Sequence, residues 1–327
     1  MRDHSYLEQF LKCEFKVEPM TNGMSFRTYD RVYTPSDSYV LMNVPTDIPL
    51  EDGQSAIEGV IRPFMKVHAY LKELNISVPE VFNVCELNGK VLLQDLGQDT
   101  FYDMFSARDI DLNLYEEAVN DLVKLYKAKP LADIPEVDEG LMHLRGQYFL
   151  DDYLPAITGQ ESTAEQYQEL DAILSEIYNV VSNVKWGTVL WDFHSPNLMP
   201  LNNKPVVLDF QDAKFGPLSY DLASLLYDAR FPFPKEVRNS LFNHFVKCAE
   251  IKDVQAFKDS FEMAGLLRNI GILGRFARSF YRDGKVEFIP KISVIWPYVD
   301  EALENPYAAK LKAFIYKNMP ENRLLSA

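Results

Sequence analysis

The hydrophobic period of this chain changes once, and that change limits the folds open to it. Up to about residue 97 the apolar residues alternate in short runs, broken by one stretch at helical spacing; beyond it helical spacing dominates. Residues 25–33 and 38–44 read as two strands around the polar turn Pro35-Ser36-Asp37-Ser38. Ile57, Val60, Ile61, Phe64, Val67 and Leu71 mark one face of a helix over 54–74. Residues 81–87 and 90–93 flank the hairpin signal Asn88-Gly89. Helices are then expected over about 113–128, 138–155, 162–183, 235–249, 252–282 and 296–318, with a β-rich island at 188–216. The pattern predicts an α+β chain in two lobes: a small β-rich lobe with one main helix over 1–96, and a larger, mostly helical lobe over 97–327.

The charge balance narrows the partners. Lys and Arg number 33 against 48 Asp and Glu, a net charge of −15. Such a surface repels nucleic acid and anionic lipid, so neither is expected as a partner, and no obligatory protein partner is indicated. Any phosphorylated ligand needs its charge met locally, by a metal or a few arginines. Cys13, Cys85 and Cys248 are isolated and no histidines pair at metal-ligand spacing, which argues against both a disulfide framework and a zinc site. No apolar run reaches membrane-span length, and the first residues lack the apolar region of a secretory signal, so a cytoplasmic protein is expected.

The island carries the chemistry. It runs Thr188-Val189-Leu190-Trp191-Asp192-Phe193-His194-Ser195-Pro196-Asn197, then a polar turn, then Val206-Val207-Leu208-Asp209-Phe210-Gln211-Asp212. Read as two adjacent strands, it puts Asp192 and Asn197 after the first and Asp209 at the end of the second. Phosphoryl transfer asks for a carboxylate to orient an acceptor hydroxyl and for hard oxygen ligands to hold Mg²⁺ against nucleotide phosphates. Asp192 followed by Asn197 and then Asp209 supplies that set; singly, each of these residues also serves as an ordinary turn or helix cap.

These residues resemble the aminoglycoside phosphotransferase/choline kinase-like family, distant relatives of protein kinases, and most nearly its branch of bacterial kinases acting on N-acetylmuramate and N-acetylglucosamine at the anomeric hydroxyl. The resemblance runs through Ser25-Phe26-Arg27, Asp95-Leu96-Gly97, Asp192-Phe193, Asn197-Leu198-Met199, Leu208-Asp209-Phe210-Gln211-Asp212, Tyr220-Asp221-Leu222 and Tyr281-Arg282-Asp283-Gly284-Lys285. It implies a bilobal protein-kinase-like fold, ATP and Mg²⁺ as cofactors, and a small-molecule acceptor carrying a hydroxyl. It implies Asp192 as catalytic base, Asn197 and Asp209 as metal ligands, Ser25 and Arg27 near phosphate, the Asp95–Gly97 backbone near adenine, and Asp221 as a brace for the catalytic loop.

Two departures bear on activity. Leu190-Trp191 stands where many members carry His-Arg, and the strand around Tyr39-Val40-Leu41-Met42 has no phosphate-gripping lysine. On the acceptor side, His194, Gln211 and Asp212 lie close to the island's acids, and Arg145 sits in the helix expected over 138–155. Arg268, Arg275, Arg278 and Arg282 fall along one face of the helix expected over 252–282, so they face either an acceptor carboxylate or acids on neighbouring helices. An aminoglycoside, choline or similar amine as acceptor, and a non-catalytic pseudokinase-like binding protein, remain open alternatives at this level.

Overall fold

The structure is a computed structural model and describes residues 5–20, 27–46, 57–107 and 111–325. Helix α1 (Ser5–Leu11) and strands β1 (Lys16–Pro19), β2 (Thr28–Tyr33) and β3 (Ser38–Asn43) precede helix α2 (Arg62–Glu73) and strands β4 (Val81–Cys85) and β5 (Lys90–Gln94). Helices α3 (Phe101–Ala107), α4 (Leu112–Lys127), α5 (Glu139–Tyr148), α6 (Leu154–Thr158) and α7 (Ala164–Ser182) follow. Short strands β6 (Trp186–Val189), β7 (Leu198–Leu201), β8 (Lys204–Val207) and β9 (Lys214–Pro217) come next. The chain then continues through α8 (Tyr220–Leu226), α9 (Lys235–Ala249), α10 (Val254–Asp283), α11 (Ile289–Ala302) and α12 (Ala309–Asn318). Two compact units result: Met1–Thr100 with Leu198–Asp212, and Phe101–Asn197 with Ala213–Ala327.

The first unit is built on an antiparallel sheet in the order β1-β2-β3-β5-β4. The β2–β3 turn closes where Thr34 and Asp37 exchange main-chain and side-chain hydrogen bonds. Leu7, Val32, Leu41 and Leu92 are fully buried against the sheet. A π-helical turn, Ile57–Ile61, leads into α2, and Val60, Ile61, Phe64, Val67 and Leu71 are all buried, as their spacing predicts. Each such side chain contributes roughly 1.5–3 kcal/mol on leaving water. β4 stops at Cys85, short of the expected strand over 81–87, because Glu86–Asn88 wind into a 3₁₀ turn. Gly89 closes that turn at φ +61, where a Cβ would lie 2.1 Å from the Val44 carbonyl oxygen, so no other residue fits without a shift. The segment Leu198–Asp212 joins this unit through the Val207 amide, which donates to the Ser77 carbonyl at 2.9 Å, and through Phe210, stacked on Phe64 at 4.9 Å.

The second unit is mostly helical. Asp111 caps α4, and a reciprocal Thr163–Gln166 capping box opens α7. α10, 30 residues long, runs buried through the unit and packs on α5, α7, α8 and α11. The single helix expected over 296–318 is instead two: α11 begins at Ile289, and Asn305-Pro306 breaks the run before α12, the Asn305 side chain capping the Tyr307 amide. Proline at that point removes a helical donor and Asn305 supplies a competing cap. Among the described residues, no helix is long and apolar enough to cross a membrane.

The island also differs from its sequence reading. It forms two separate ladders: β6 pairs with β9 in the second unit, and β7 with β8 in the first. Asn202 and Asn203, at φ +52 and +59, make a tight primed turn that folds β8 back on β7, so the strand before Asp192 and the strand before Asp209 do not share a ladder.

Candidate active site

In the second unit the chain leaves β6 and turns sharply. Trp191 adopts φ +75, a conformation an aromatic residue rarely takes, at a cost of about 1–3 kcal/mol. The segment after Leu190 is therefore loop. Asp221, 3% exposed at the start of α8, holds the turn: its two carboxylate oxygens accept the amides of Leu190 at 2.5 Å and Trp191 at 3.0 Å. Asp228, fully buried just beyond α8, holds the next stretch by accepting the Ser195 amide at 3.0 Å and its hydroxyl at 2.5 Å. Asn197 closes the loop, its Nδ2 donating to the Asp192 carbonyl at 3.0 Å.

This bracing leaves the Asp192 carboxylate presented, 40% exposed, with His194 Nε2 at 3.9 Å. Burial works to raise its pKa, but His194, Arg268, Arg145 and Arg275 outweigh burial and hold it below the ordinary carboxylate range. Burial pushes His194 down to about 3, so its ring is neutral near pH 7. Burial also raises Asp221 to about 7 against the two amide bonds, while the charge of Arg230 keeps Asp228 low despite its burial.

Trp191 brings a cation with it. Its ring stacks on Tyr220 at 4.4 Å and 9°, and the Arg145 guanidinium lies 4.8 Å from its centroid while donating to the Tyr220 hydroxyl. The arginines of α10 divide. Arg268 is 3% exposed and acts on Asp192 and Asp228, whereas Arg278 and Arg282 pair with Asp152 at 2.8 and 3.1 Å, so for these two the acid on a neighbouring element is the answer. Arg275 is exposed.

In the first unit, Asp209 has φ +56, and its Oδ1 accepts from Arg27 at 2.7 Å and from Gln211 at 3.1 Å. Gln211 also donates to Asp212 at 2.8 Å, and its own Oε1 is buried without a partner among the described residues. Arg27, expected near phosphate, is buried beside Asp209. Asp95 pairs with Arg31 at 2.9 Å and accepts the Gly97 amide at 3.0 Å, while Arg31 donates to the Gly97 carbonyl, so one arginine clamps the whole turn. Ser25 lies outside the described residues.

Sequence reasoning missed Asp228, and it gave Tyr220 no role of its own beside Asp221. The available signal for Asp228 is an acid inside the apolar run Leu225-Leu226-Tyr227-Asp228-Ala229, where burial calls for a hydrogen-bonded partner.

Residues 16–251 match the model of the phosphotransferase enzyme family. The N-acetylmuramate/N-acetylglucosamine kinase of Pseudomonas aeruginosa is 30% identical over 90% of this chain and 86% of its own length. The kinase of the same name from Neisseria meningitidis serogroup B is 31% identical over 82% of this chain and 79% of its own. Among solved structures, an ADP-bound aminoglycoside phosphotransferase superposes with a TM-score of 0.57 at 16% identity, covering 91% of this chain and 97% of that one. A choline/ethanolamine kinase family protein from Mesorhizobium loti gives 0.60 at 12% identity, covering 92% of each chain. The bilobal kinase-like fold is thus shared with both. Matched over most of its length, and with named kinases for relatives across nearly all of it, the chain belongs to the phosphotransferase enzyme family and is a kinase.

Proposed function

We propose that this kinase moves the γ-phosphoryl group of ATP, with Mg²⁺, to a hydroxyl of an amino sugar, N-acetylmuramate or N-acetylglucosamine. The observation that carries the reading is the Asp192 loop: a strained turn held through its backbone by two buried acids, presenting one ionised, accessible carboxylate. A carboxylate of that kind orients an acceptor hydroxyl and accepts its proton as the bond to phosphorus forms. The sugar is drawn from the relatives, whose names carry it.

The donor atoms suit the cofactor. With its Nδ2 committed to the Asp192 carbonyl, Asn197 has Oδ1 left over, and Asp209 carries a carboxylate; each by itself is a hard oxygen ligand of the kind Mg²⁺ takes. Among the described residues no cluster of three or more His, Cys, Asp or Glu is arranged for a metal, and Mg²⁺ held partly by substrate phosphates needs none. Bound Mg²⁺ supplies neutralisation of the phosphate charge. Arg27 fits the phosphate side as the cation that fixes Asp209, the Asp95–Gly97 turn is the adenine side with the Gly97 amide and carbonyl already taken by Asp95 and Arg31, and Asp221 braces the loop.

The arginines around Asp192 speak against a cationic acceptor such as an aminoglycoside or choline. The test is a panel of N-acetylmuramate, N-acetylglucosamine, an aminoglycoside and choline with radiolabelled ATP and Mg²⁺. Label should move to the amino sugars; transfer confined to the cationic acceptors, or to none, would sink the reading.

A further inference from the structure

Three acids stand around the loop, and the hydrogen bonds of two are accounted for. Both oxygens of Asp221 accept main-chain amides, and those of Asp228 accept from Ser195 and from the Arg230 amide. Arg268 is nevertheless buried among them, and its Nη1 has no hydrogen-bond partner among the described residues. The Nε of Arg145 is buried and unpartnered in the same way. An unsatisfied guanidinium N–H out of water is costly, and each such group in a folded protein calls for a functional or structural reason.

The local charge agrees. Arg145, Arg268 and Arg275 act on Asp192 and Arg230 acts on Asp228, so with His194 neutral the cations outnumber the ionised acids, in a chain whose net charge is −15. Arg145 is also held in place: its guanidinium lies over Trp191, its Nη2 is on the Tyr220 hydroxyl, and Gly271 of α10 lets its backbone close in, since a Cβ there would lie 2.8 Å from the Arg145 Cβ. A guanidinium held in this way, with a second one acting on the same Asp192 carboxylate, suits a planar anion.

We propose that Arg268 and Arg145 form an anion subsite beside Asp192 that takes the carboxylate of the acceptor, which makes the preferred substrate class a carboxylated amino sugar. This rests on the amino-sugar reading above and narrows it: the lactyl acid of N-acetylmuramate is bound through its charge, and N-acetylglucosamine lacks that contact.

The first test alters the ligand and leaves the protein unaltered: KM for N-acetylmuramate against KM for its lactyl carboxamide, with saturating ATP and Mg²⁺. The subsite predicts a KM about 10-fold or more higher for the amide, the scale of losing charge-assisted hydrogen bonds. Turnover of both compounds with equal KM overturns the subsite and leaves the amino-sugar reading standing; turnover of neither overturns both. The second test uses Arg268→Gln and Arg145→Gln, read as the ratio of acid to amide KM, which should collapse toward one. An equal fall in kcat for both compounds, with the ratio retained, assigns the guanidiniums to the transferring phosphoryl group and overturns the proposal. Should Arg268→Gln fail to fold, Arg145→Gln and the ligand comparison decide alone.

Discussion

The two units hold their island acids by opposite means. In the first, a buried cation holds an acid: Arg27 fixes Asp209, at a left-handed turn packed by the Phe64–Phe210 stack. In the second, buried acids hold backbone: Asp221 and Asp228 take the amides of Leu190, Trp191 and Ser195, and neither is hydrogen-bonded to the Asp192 carboxylate. The difference teaches what each carboxylate is free to do. An acid gripped by a guanidinium has its charge partly matched and one oxygen engaged. An acid carried on a loop braced through its own main chain is positioned without using its oxygens, because a backbone amide has no rotamers to lose.

The comparison breaks most sharply at Asp192. Asp192→Asn keeps the shape and removes the charge, and product formation from radiolabelled ATP should fall by about 10²–10⁴-fold. Its melting temperature should stay close to that of the parent; an unchanged rate would show that the presented acid does no chemistry.

Removing the brace comes next. Asp221→Ala strands two amide groups and should destabilise the protein by about 2–4 kcal/mol in urea unfolding. The pH dependence isolates the same residue. Asp221 keeps its proton to about pH 7 when folded and loses it near the ordinary 3.8 when unfolded, so its contribution is complete below that lower value and is lost as pH rises through 7. Parent protein should therefore lose stability relative to Asp221→Asn between pH 4 and 7, by on the order of 2–4 kcal/mol. The comparison with the variant is needed because His194, depressed to about 3, adds stability with rising pH over much of the same window. Parallel pH profiles would remove Asp221 as a buried titrating group.

On the other unit, Arg27→Met releases Asp209, and kcat/KM should fall roughly 10- to 100-fold, the scale of one charge-assisted contact. A smaller loss than that in Asp192→Asn is what the contrast between the units requires; reversal of the order would overturn it. The smallest effect is expected at Gly271→Ala, where the added methyl presses on Arg145. A stability loss of about 1–3 kcal/mol, read by thermal melting, is the cost of overpacking there.

Much of this was legible before any coordinates. The stripe from Val60 to Leu71, the Asn88-Gly89 turn and most long helices follow from local periodicity and turn chemistry, which depend on near neighbours in the chain. The arginine face of α10 was legible as a face and no further. At 1.5 Å per residue, Arg268 and Arg278 are about 15 Å apart along the helix, so one meets the acids around Asp192 and the other meets Asp152. Asp228 carries no local mark of its partner Ser195, 33 residues earlier. The break at Asn305-Pro306 was written in the sequence and was overridden by helical periodicity on either side.

The sequence by itself pointed to the class of chemistry, because the types and spacing of Asp192, Asn197 and Asp209 match what phosphoryl transfer asks for and can be read without neighbours. Only the tertiary structure decided which acids anchor the loop, which one stays open, and which arginines keep an unmet donor. Those assignments rest on partners 31, 33 and 182 residues apart, Leu190 with Asp221, Ser195 with Asp228 and Arg27 with Asp209. Hydrogen bonding and desolvation are properties of what surrounds a group in space, and no local pattern along the chain encodes them.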